Sequence, residues 1–242
     1  MNALIVGGSS GIGLSIVLQL VHDATVENVF VVDKAEFPDA YYDNKIIWHH
    51  CDLSIGDYSI FDKIEDIQAL YITVGFGQLN WFQNLSRDYI NASFSVNAIA
   101  PIQIIRHYYD KLLSNDEFYC AVMVSIAGRL SSPLFSVYSA TKAALSKFIE
   151  AVNVELDVQG SKNRILEVSP GSLKGTGFNG GTSQPELTES LATEIIQRSK
   201  KQETLFIPQY EEVFKCVIER YQSNPHKFGV DSYWYKKKQG RV

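Results

Sequence analysis

Residues 2–20, NALIVGGSSGIGLSIVLQL, decide how this chain folds. Residues 2–6 form a short apolar run typical of a buried strand, and a helical pattern of apolar side chains begins at Leu14. The glycines between them allow backbone angles that other residues avoid, and they let a ligand approach closely. A helix that starts there offers free N–H groups and the positive end of its dipole. The stretch therefore predicts a strand, a tight turn suited to a pyrophosphate, and a helix, with candidate ligand contacts at Gly7, Ser9, Ser10, Gly11, Ile12 and Gly13.

The second apolar run, residues 28–33, ends in an acid twenty positions after Gly13. In a dinucleotide-binding fold, a carboxylate at this place accepts hydrogen bonds from the adenosine ribose hydroxyls. Asp33 would also repel a 2′-phosphate, so it favours NAD over NADP as the cofactor. Two alternatives remain open: the neighbouring Lys34 could tolerate that phosphate, and Asp33 could be a solvated acid at a strand end.

Strand and helix patterns alternate along the rest of the chain. Apolar runs at residues 45–50, 69–75, 121–124 and 164–169 are separated by helical patterns. This alternation predicts an α/β protein with a single Rossmann-like domain over residues 1–242, in which a doubly wound parallel sheet carries helices on both faces. Ligands of such a fold bind at the carboxyl ends of the strands. We expect further cofactor contacts there from Asp52, Leu53 and Gly75.

The region after the sixth predicted strand, at about residues 172–206, begins with many Gly, Ser and Thr residues. A loop of this composition after a strand end predicts a mobile lid that contributes to substrate binding. A helix over residues 210–221 and a short run at residues 228–235 complete the chain.

Residues 124–142, VSIAGRLSSPLFSVYSATK, place three polar groups at separations that have a chemical meaning. Tyr138 and Lys142 are four residues apart, so on a helix they project from one face, and Ser125 ends the preceding strand. We expect the Lys142 ammonium to favour the phenolate and to lower the pKa of Tyr138 toward neutrality. This is the layout of a proton transfer between a carbonyl and an alcohol. A Tyr-x-x-x-Lys pair alone also occurs by chance in helices, where the tyrosine packs and the lysine is solvated.

The helical segment at residues 86–113 contains Asn97 and, four residues later, Pro101. Proline removes a helical hydrogen bond and frees the carbonyl four residues earlier. We therefore predict a kink just past Asn97, where its freed carbonyl could hold a water.

Composition excludes several classes of function. The net charge of −5 gives no basic footprint for nucleic acid or an anionic membrane, and the tail at residues 236–238 is interpreted as a solvated cluster. Three scattered cysteines predict neither a disulfide framework nor a metal site. The adjacent His49 and His50 point to opposite faces of a strand, so they are poor joint ligands. No apolar run approaches the ~18 residues of a membrane span, and we expect a soluble protein of the cytoplasm.

Taken in order, these motifs resemble those of the short-chain dehydrogenases/reductases over essentially the whole chain. The family's Gly-x-x-x-Gly-x-Gly turn is matched by Gly7, Gly11 and Gly13. Its four active-site residues are matched by Asn97, Ser125, Tyr138 and Lys142. The glycine after the serine is matched by Gly128, and the Pro-Gly pair after the sixth strand by Pro170 and Gly171.

The resemblance implies a role for each of these residues. Tyr138 is the expected general acid or base, Ser125 orients the substrate oxygen, and Lys142 binds the nicotinamide ribose and depresses the pKa of the tyrosine. Asn97 would hold a water in the proton relay. The expected protein is an NAD(P)-dependent oxidoreductase that interconverts a secondary alcohol and a ketone, with NAD favoured, as a homodimer or homotetramer. Further expected cofactor contacts are Pro170, Gly171 and Thr176.

The chain departs from the family pattern at four places. Val6 stands where threonine is usual, and residues 72–74, Ile-Thr-Val, replace Asn-Asn-Ala before Gly75, so the side-chain bonds that usually brace the fourth strand are expected to be missing. Thr176 lies one position later than the family's threonine, and the segment from Tyr233 onward lacks the usual Asp-Gly-Gly ending.

Two other functions are considered. A dinucleotide-binding sensor or scaffold without turnover would fit the fold, because fold does not fix function. An epimerase or dehydratase would need a larger substrate domain after Pro170 than this chain supplies. The substrate is not identified, and its plausible pocket neighbours are Trp81, Phe82, Arg129, Leu130 and Phe178. Arg129 could receive an anionic substrate, or it could be a solvated surface residue.

Overall fold

The computed structural model describes residues 1–179 and 181–240. Its centre is a sheet of seven parallel strands in the order β3-β2-β1-β4-β5-β6-β7. The strands are β1 (Asn2–Val6), β2 (Asn28–Asp33), β3 (Ile46–His50), β4 (Ala69–Ile72), β5 (Tyr119–Met123), β6 (Ile165–Val168) and β7 (Leu205–Phe206). Because β1 pairs with both β2 and β4, the chain reverses its direction of travel across the sheet at this point. The turns after β1 and β4 therefore diverge and open a crevice at the carboxyl edge of the sheet.

Helices cover both faces of the sheet. They are α1 (Gly11–His22), α2 (Arg87–Phe94), α3 (Ala100–His107), α4 (Tyr109–Leu113), α5 (Ser136–Val158), α6 (Pro185–Lys200), α7 (Lys215–Ser223) and α8 (Pro225–Lys238). Successive strand residues point to opposite faces, so each strand contributes to two cores. On β1, Leu4 packs in the core with α3 and α5. Its neighbour Ile5 packs in the core with α1 and α6.

The irregularity predicted beside Asn97 is present as a π-helical turn. Residues Ser95–Ile99 form this turn between α2 and α3, and Pro101 lies in the first turn of α3. A π turn accommodates the extra residue that a proline ring forces out of the regular ladder, and such turns are frequent at functional sites.

The sequence predictions hold for the parallel α/β sheet and for the six longer strands, with differences at the edges. The fourth strand ends at Ile72 rather than Gly75. The region at residues 172–206, predicted as a loop, contains the sixteen-residue α6 and the short β7. Residues 210–221 are helical as predicted, as a π turn followed by α7, and the run at 228–235 lies inside α8.

Two features are absent from the described part of the chain. No helix there has both the length and the apolar character to span a membrane. No group of three or more His, Cys, Asp or Glu side chains there is arranged to hold a metal ion.

Candidate active site

A cavity of about 800 Å³ lies at the carboxyl edge of the sheet. One end of the cavity is formed by residues that follow β2 and β3. We call it the adenosine end, because the adenosine is predicted to lie there. The other end is formed by residues that follow β5 and β6. Most of the predicted contacts line it, namely Gly7, Ser10, Gly11, Ile12, Gly13, Asp33, Asp52, Leu53, Gly75, Ser125, Tyr138, Pro170, Gly171 and Thr176. Three predicted residues, Ser9, Asn97 and Lys142, are buried just behind the lining.

The glycine turn is packed too tightly for side chains. Gly7 has a φ of +90°, and a Cβ on Gly13 would lie 2.1 Å from the Gly7 carbonyl oxygen. The expected loss of bracing at β4 is wrong, because Thr73 takes over that task. Its hydroxyl donates to the carbonyls of Val6 at 3.1 Å and Gly7 at 3.0 Å. The result is a bare backbone cradle at the start of α1, which fits the pyrophosphate of a dinucleotide.

The acids at the adenosine end already organise their own turns. One oxygen of Asp33 accepts the Ser9 N–H at 3.0 Å and the other accepts the Ala35 N–H at 3.0 Å. Asp33 thereby ties the glycine turn to the end of β2. Asp52 accepts from both the hydroxyl and the N–H of Ser54, and these hydrogen bonds hold its pKa below the usual range.

Thr176 and Ser183, from the segment between β6 and α6, approach the glycine turn. The Gly11 N–H donates to the hydroxyl of Ser183 at 2.7 Å. The Cβ of Thr176 lies 3.6 Å from the position that a Gly11 Cβ would occupy. Ser183 was not predicted, and its separation of 172 residues from Gly11 leaves no signal in the sequence.

The other end of the cavity, predicted to be the catalytic end, is lined by both Ser125 and Tyr138. Ser125 follows β5, and its hydroxyl accepts the Ala127 N–H at 3.1 Å, which starts the short turn Ile126–Gly128. Tyr138 lies in the first turn of α5 and is 8% exposed. Burial raises the pKa of Tyr138 to about 12, and the nearby Ser125 hydroxyl partly opposes that rise.

Lys142 lies one helical turn beyond Tyr138 and is 2% exposed. Its Nζ donates to the Met123 carbonyl at 2.8 Å and lies 5.9 Å from the centroid of the Tyr138 ring. Burial lowers the pKa of Lys142 to about 7. The predicted fall in the pKa of Tyr138 is therefore wrong in direction. Desolvation disfavours both the phenolate and the ammonium, and it outweighs the attraction between them.

Asn97 contacts the main chain of Phe76 and the side chain of Thr141. Its side-chain oxygen accepts the Phe76 N–H at 2.9 Å. Its amide donates to the Phe76 carbonyl at 2.8 Å and to the Thr141 hydroxyl at 3.2 Å. Asn97 thus fastens the segment after β4 to α5, the helix that carries Tyr138 and Lys142. Its role in holding a water stays a prediction.

The part of the cavity next to Tyr138, which we call the substrate end, is largely aromatic. Some of its residues were not predicted from the sequence. Phe178 lines it as predicted, 5.0 Å from Tyr138 between ring centroids. Phe76, Phe135 and Lys236 line it as well. Three other predicted neighbours, Trp81, Phe82 and Leu130, lie outside the lining.

The interpretation of the cluster at residues 236–238 as solvated holds for Lys237 and Lys238, which are exposed, and is wrong for Lys236. It is buried, and its Nζ donates to the Ser132 hydroxyl at 3.0 Å and to the Pro133 carbonyl at 2.8 Å. The aromatic run that precedes it on α8 was the available signal. The two predictions for Arg129 are also wrong, because its guanidinium pairs with buried Glu167 at 2.6 Å.

Comparison with known proteins agrees with this geometry. The family model for short chain dehydrogenase matches residues 1–187. The uncharacterized oxidoreductase TDA5 of Saccharomyces cerevisiae is 30% identical over 186 residues, which cover 73% of this chain and 56% of TDA5. A second uncharacterized oxidoreductase of that yeast, YDL114W, is 25% identical over 81% of this chain and 66% of its own length. The matched region therefore spans about three fifths of these curated relatives.

Solved structures share the fold at low sequence identity. A short-chain dehydrogenase from Streptomyces avermitilis has a TM-score of 0.75 and 19% identity, with 100% of this chain and 99% of that chain covered. An alcohol dehydrogenase from Thermococcus sibiricus, complexed with 5-hydroxy-NADP, has a TM-score of 0.69 and 17% identity over 86% and 96% of the two chains. A 4-hydroxyisoleucine dehydrogenase, complexed with NADH and succinate, has a TM-score of 0.71 and 20% identity over 86% and 97%. With its glycine cradle, its Ser125–Tyr138–Lys142 group and a family match over residues 1–187, the chain belongs to the short-chain dehydrogenase family.

Proposed function

We propose that this chain is an NAD(P)-dependent oxidoreductase that interconverts a secondary alcohol and a ketone. The observation that carries the proposal is that Ser125 and Tyr138 line one end of the cavity into which the glycine turn opens. A bound nicotinamide would supply the hydride chemistry, which no side chain can supply. The glycine turn and Asp33 would hold its pyrophosphate and adenosine ribose.

The proton belongs to Tyr138. With a pKa of about 12, its phenol keeps its proton at neutral pH, so it is suited to donate that proton to an oxygen that gains negative charge. Ser125 would orient the same oxygen by a second hydrogen bond. Because the phenol is protonated before the reaction, the apoprotein is in the state required to reduce a carbonyl.

Asp33 supports NAD as the preferred cofactor. Its carboxylate lines the cavity at the adenosine end, where a negative charge disfavours a 2′-phosphate. Lys34 lines the same end and acts in the opposite direction. We propose that the effect of Asp33 is the larger one, so that the affinity for NADH exceeds the affinity for NADPH.

The test begins with the substitution Tyr138→Phe. Removal of one hydroxyl should reduce turnover of a ketone panel about 10²- to 10⁴-fold. The affinity for NADH, followed by nicotinamide fluorescence, should stay within twofold. Tyr119→Phe is the matched control, because Tyr119 begins β5 at the opposite edge of the sheet and its hydroxyl donates to Glu117.

Two results would contradict the proposal. Undiminished turnover by the Tyr138→Phe variant would remove the tyrosine from the reaction. Saturable NADH binding by the wild-type protein without turnover of any carbonyl compound would instead support a dinucleotide sensor or scaffold.

A further inference from the structure

Beneath the catalytic end lies a buried carboxylate that the proposed chemistry does not use. Glu167 is 3% exposed, in the middle of an otherwise apolar β6. Its Oε1 accepts from Arg129 Nε at 3.2 Å, from Arg129 Nη2 at 2.6 Å and from the Ser169 hydroxyl at 2.7 Å. Its Oε2 accepts from the Ser146 hydroxyl at 2.9 Å. A charge this deep in the fold is costly unless it is fully paired, and here both oxygens are paired.

The donors to Glu167 come from three parts of the site. Arg129 directly follows the turn Ile126–Gly128 that Ser125 begins. Ser146 lies on α5, one helical turn beyond Lys142. Ser169 immediately precedes the Pro-Gly pair at the cavity wall. One carboxylate therefore joins the serine turn, the catalytic helix and the end of β6.

The serine turn has little room to move independently of α5. A Cβ on Gly128 would lie 2.7 Å from the carbonyl carbon of Lys142, so the backbones of the turn and the helix are in direct contact. The turn Ile126–Gly128 is only three residues long. A displacement of Arg129 at its far end is therefore transmitted to Ser125 at its start.

We propose that Arg129 and Glu167 are positioning residues for the reaction, whose ion pair holds the serine turn against α5 and so keeps Ser125 in place beside Tyr138. Neither side chain lines the cavity, so both act through Ser125. The inference rests on the proposed function in one respect only, namely that the Ser125–Tyr138 pair carries the chemistry. A merely structural ion pair would stabilise the fold and leave the position of Ser125 unchanged.

A positioning role and a structural role differ in what they do to Ser125. A displaced Ser125 would orient the substrate oxygen less well, so kcat would fall while the affinity for NADH stayed the same. Loss of a merely structural ion pair would lower the free energy of unfolding and leave kcat of the folded enzyme unchanged.

The experiment compares Arg129→Met, Arg129→Lys and Glu167→Gln with the wild-type enzyme. In Arg129→Met we expect kcat to fall at least tenfold, since a misplacement of about 1 Å can cost up to 10²-fold. The affinity for NADH should stay within twofold. Arg129→Lys keeps the charge and should recover part of kcat. Lys147→Met is the control, because it breaks an exposed ion pair with Glu150 on α5. It should change neither kcat nor the affinity for NADH.

A second measurement separates this inference from the proposed function. In crystal structures of the wild-type protein and the Arg129→Met variant, superposed on α5, the Ser125 hydroxyl should be displaced by about 1 Å or more in the variant, whether or not a substrate is known. An unchanged position of Ser125, or an unchanged kcat in a folded variant, would overturn the proposal. If Arg129→Met does not fold, Glu167→Gln gives the same decision, because it removes the ion pair and preserves the size of the side chain. Loss of NADH binding in the wild-type protein would contradict the proposed function and leave the crystallographic test valid.

Discussion

Replacement of Lys142 by methionine is expected to make the apoprotein more stable. Lys142 has its pKa lowered from an ordinary 10.5 to about 7 because it is buried. Each pKa unit corresponds to about 1.4 kcal/mol, so protonation of this side chain inside the fold costs roughly 5 kcal/mol in acid. Methionine has a similar length and no charge. The substitution also leaves the Met123 carbonyl without its hydrogen bond, which costs about 2 kcal/mol. The net gain in unfolding free energy at pH 6 is therefore about 3 kcal/mol.

The gain should shrink as the pH rises. Between pH 7 and pH 10.5 the unfolded chain binds more protons at this lysine than the folded chain does, so the stability of the wild-type protein rises with pH. Between pH 6 and pH 8.5 this rise amounts to about 2 kcal/mol. The Lys142→Met variant lacks it, so its advantage at pH 8.5 is about 1 kcal/mol. Measurements should stop there, because the raised pKa of Cys120 lowers stability at higher pH in both proteins.

The assay is urea unfolding followed by tryptophan fluorescence, at pH 6.0 and pH 8.5 and at one protein concentration. Lys147 is the matched control, since it lies on the same helix but is exposed and paired with Glu150. Lys147→Met should leave the difference between the two pH values as it is in the wild type. The reasoning is refuted if Lys142→Met is no more stable than wild type at pH 6, or if its advantage is the same at both pH values.

Three other substitutions test separate parts of the site. Gly13→Ala puts a Cβ 2.1 Å from a backbone oxygen of the turn. It should therefore lower the free energy of unfolding in urea by about 1–3 kcal/mol and abolish NADH binding. Gly177→Ala is its control and should keep the wild-type stability, because a Cβ there meets nothing within 4 Å. Asp33→Asn removes a negative charge at the adenosine end, so it should raise the ratio of NADPH to NADH affinity by on the order of tenfold in a fluorescence titration. Asn97→Ala leaves the N–H and carbonyl of Phe76 unpaired, which should cost about 2 kcal/mol or more in urea unfolding.

Each of these predictions has an outcome that contradicts it. Normal NADH affinity in Gly13→Ala would mean that the cradle does not hold the cofactor. An unchanged affinity ratio in Asp33→Asn would make that residue a turn-forming acid only. Wild-type stability in Asn97→Ala would mean that water satisfies Phe76 once the amide is gone.

The fold was largely predictable because its signals are local and repeat. Residues 2–20 contain a continuous apolar strand, glycines and a period-3.6 helix in immediate succession. The strand β7 was missed because two residues, Leu205–Phe206, are too few for any periodicity. The helix α6 was missed because it follows a glycine-rich stretch and carries many polar residues on its exposed face.

The positions of Ser125, Tyr138 and Lys142 in the fold were predictable, whereas the pKa of Tyr138 was not. The spacing of Tyr138 and Lys142 placed both on one helix face, and Ser125 follows its strand as expected. The predicted downward shift in the pKa of Tyr138 was wrong, because the shift depends on how completely the fold excludes water. The spacing of residues in the sequence does not report that. Glu167 was missed because it lies on β6 and its partner Arg129 lies 38 residues earlier, so only the folded sheet and the serine turn bring them together.

The hydrogen bond from Gly11 to Ser183 has a thermodynamic consequence for ligand binding. The N–H that α1 offers to an anion is already occupied by a hydroxyl of the segment between β6 and α6. A phosphate oxygen and Ser183 compete for one donor, so whatever strengthens the hydroxyl contact weakens cofactor affinity by the same free energy. The same segment carries Phe178, which packs on Tyr138 in the substrate end. We therefore expect cofactor occupancy and the shape of the substrate pocket to be coupled through one stretch of chain, so that each ligand changes the affinity for the other by the same factor.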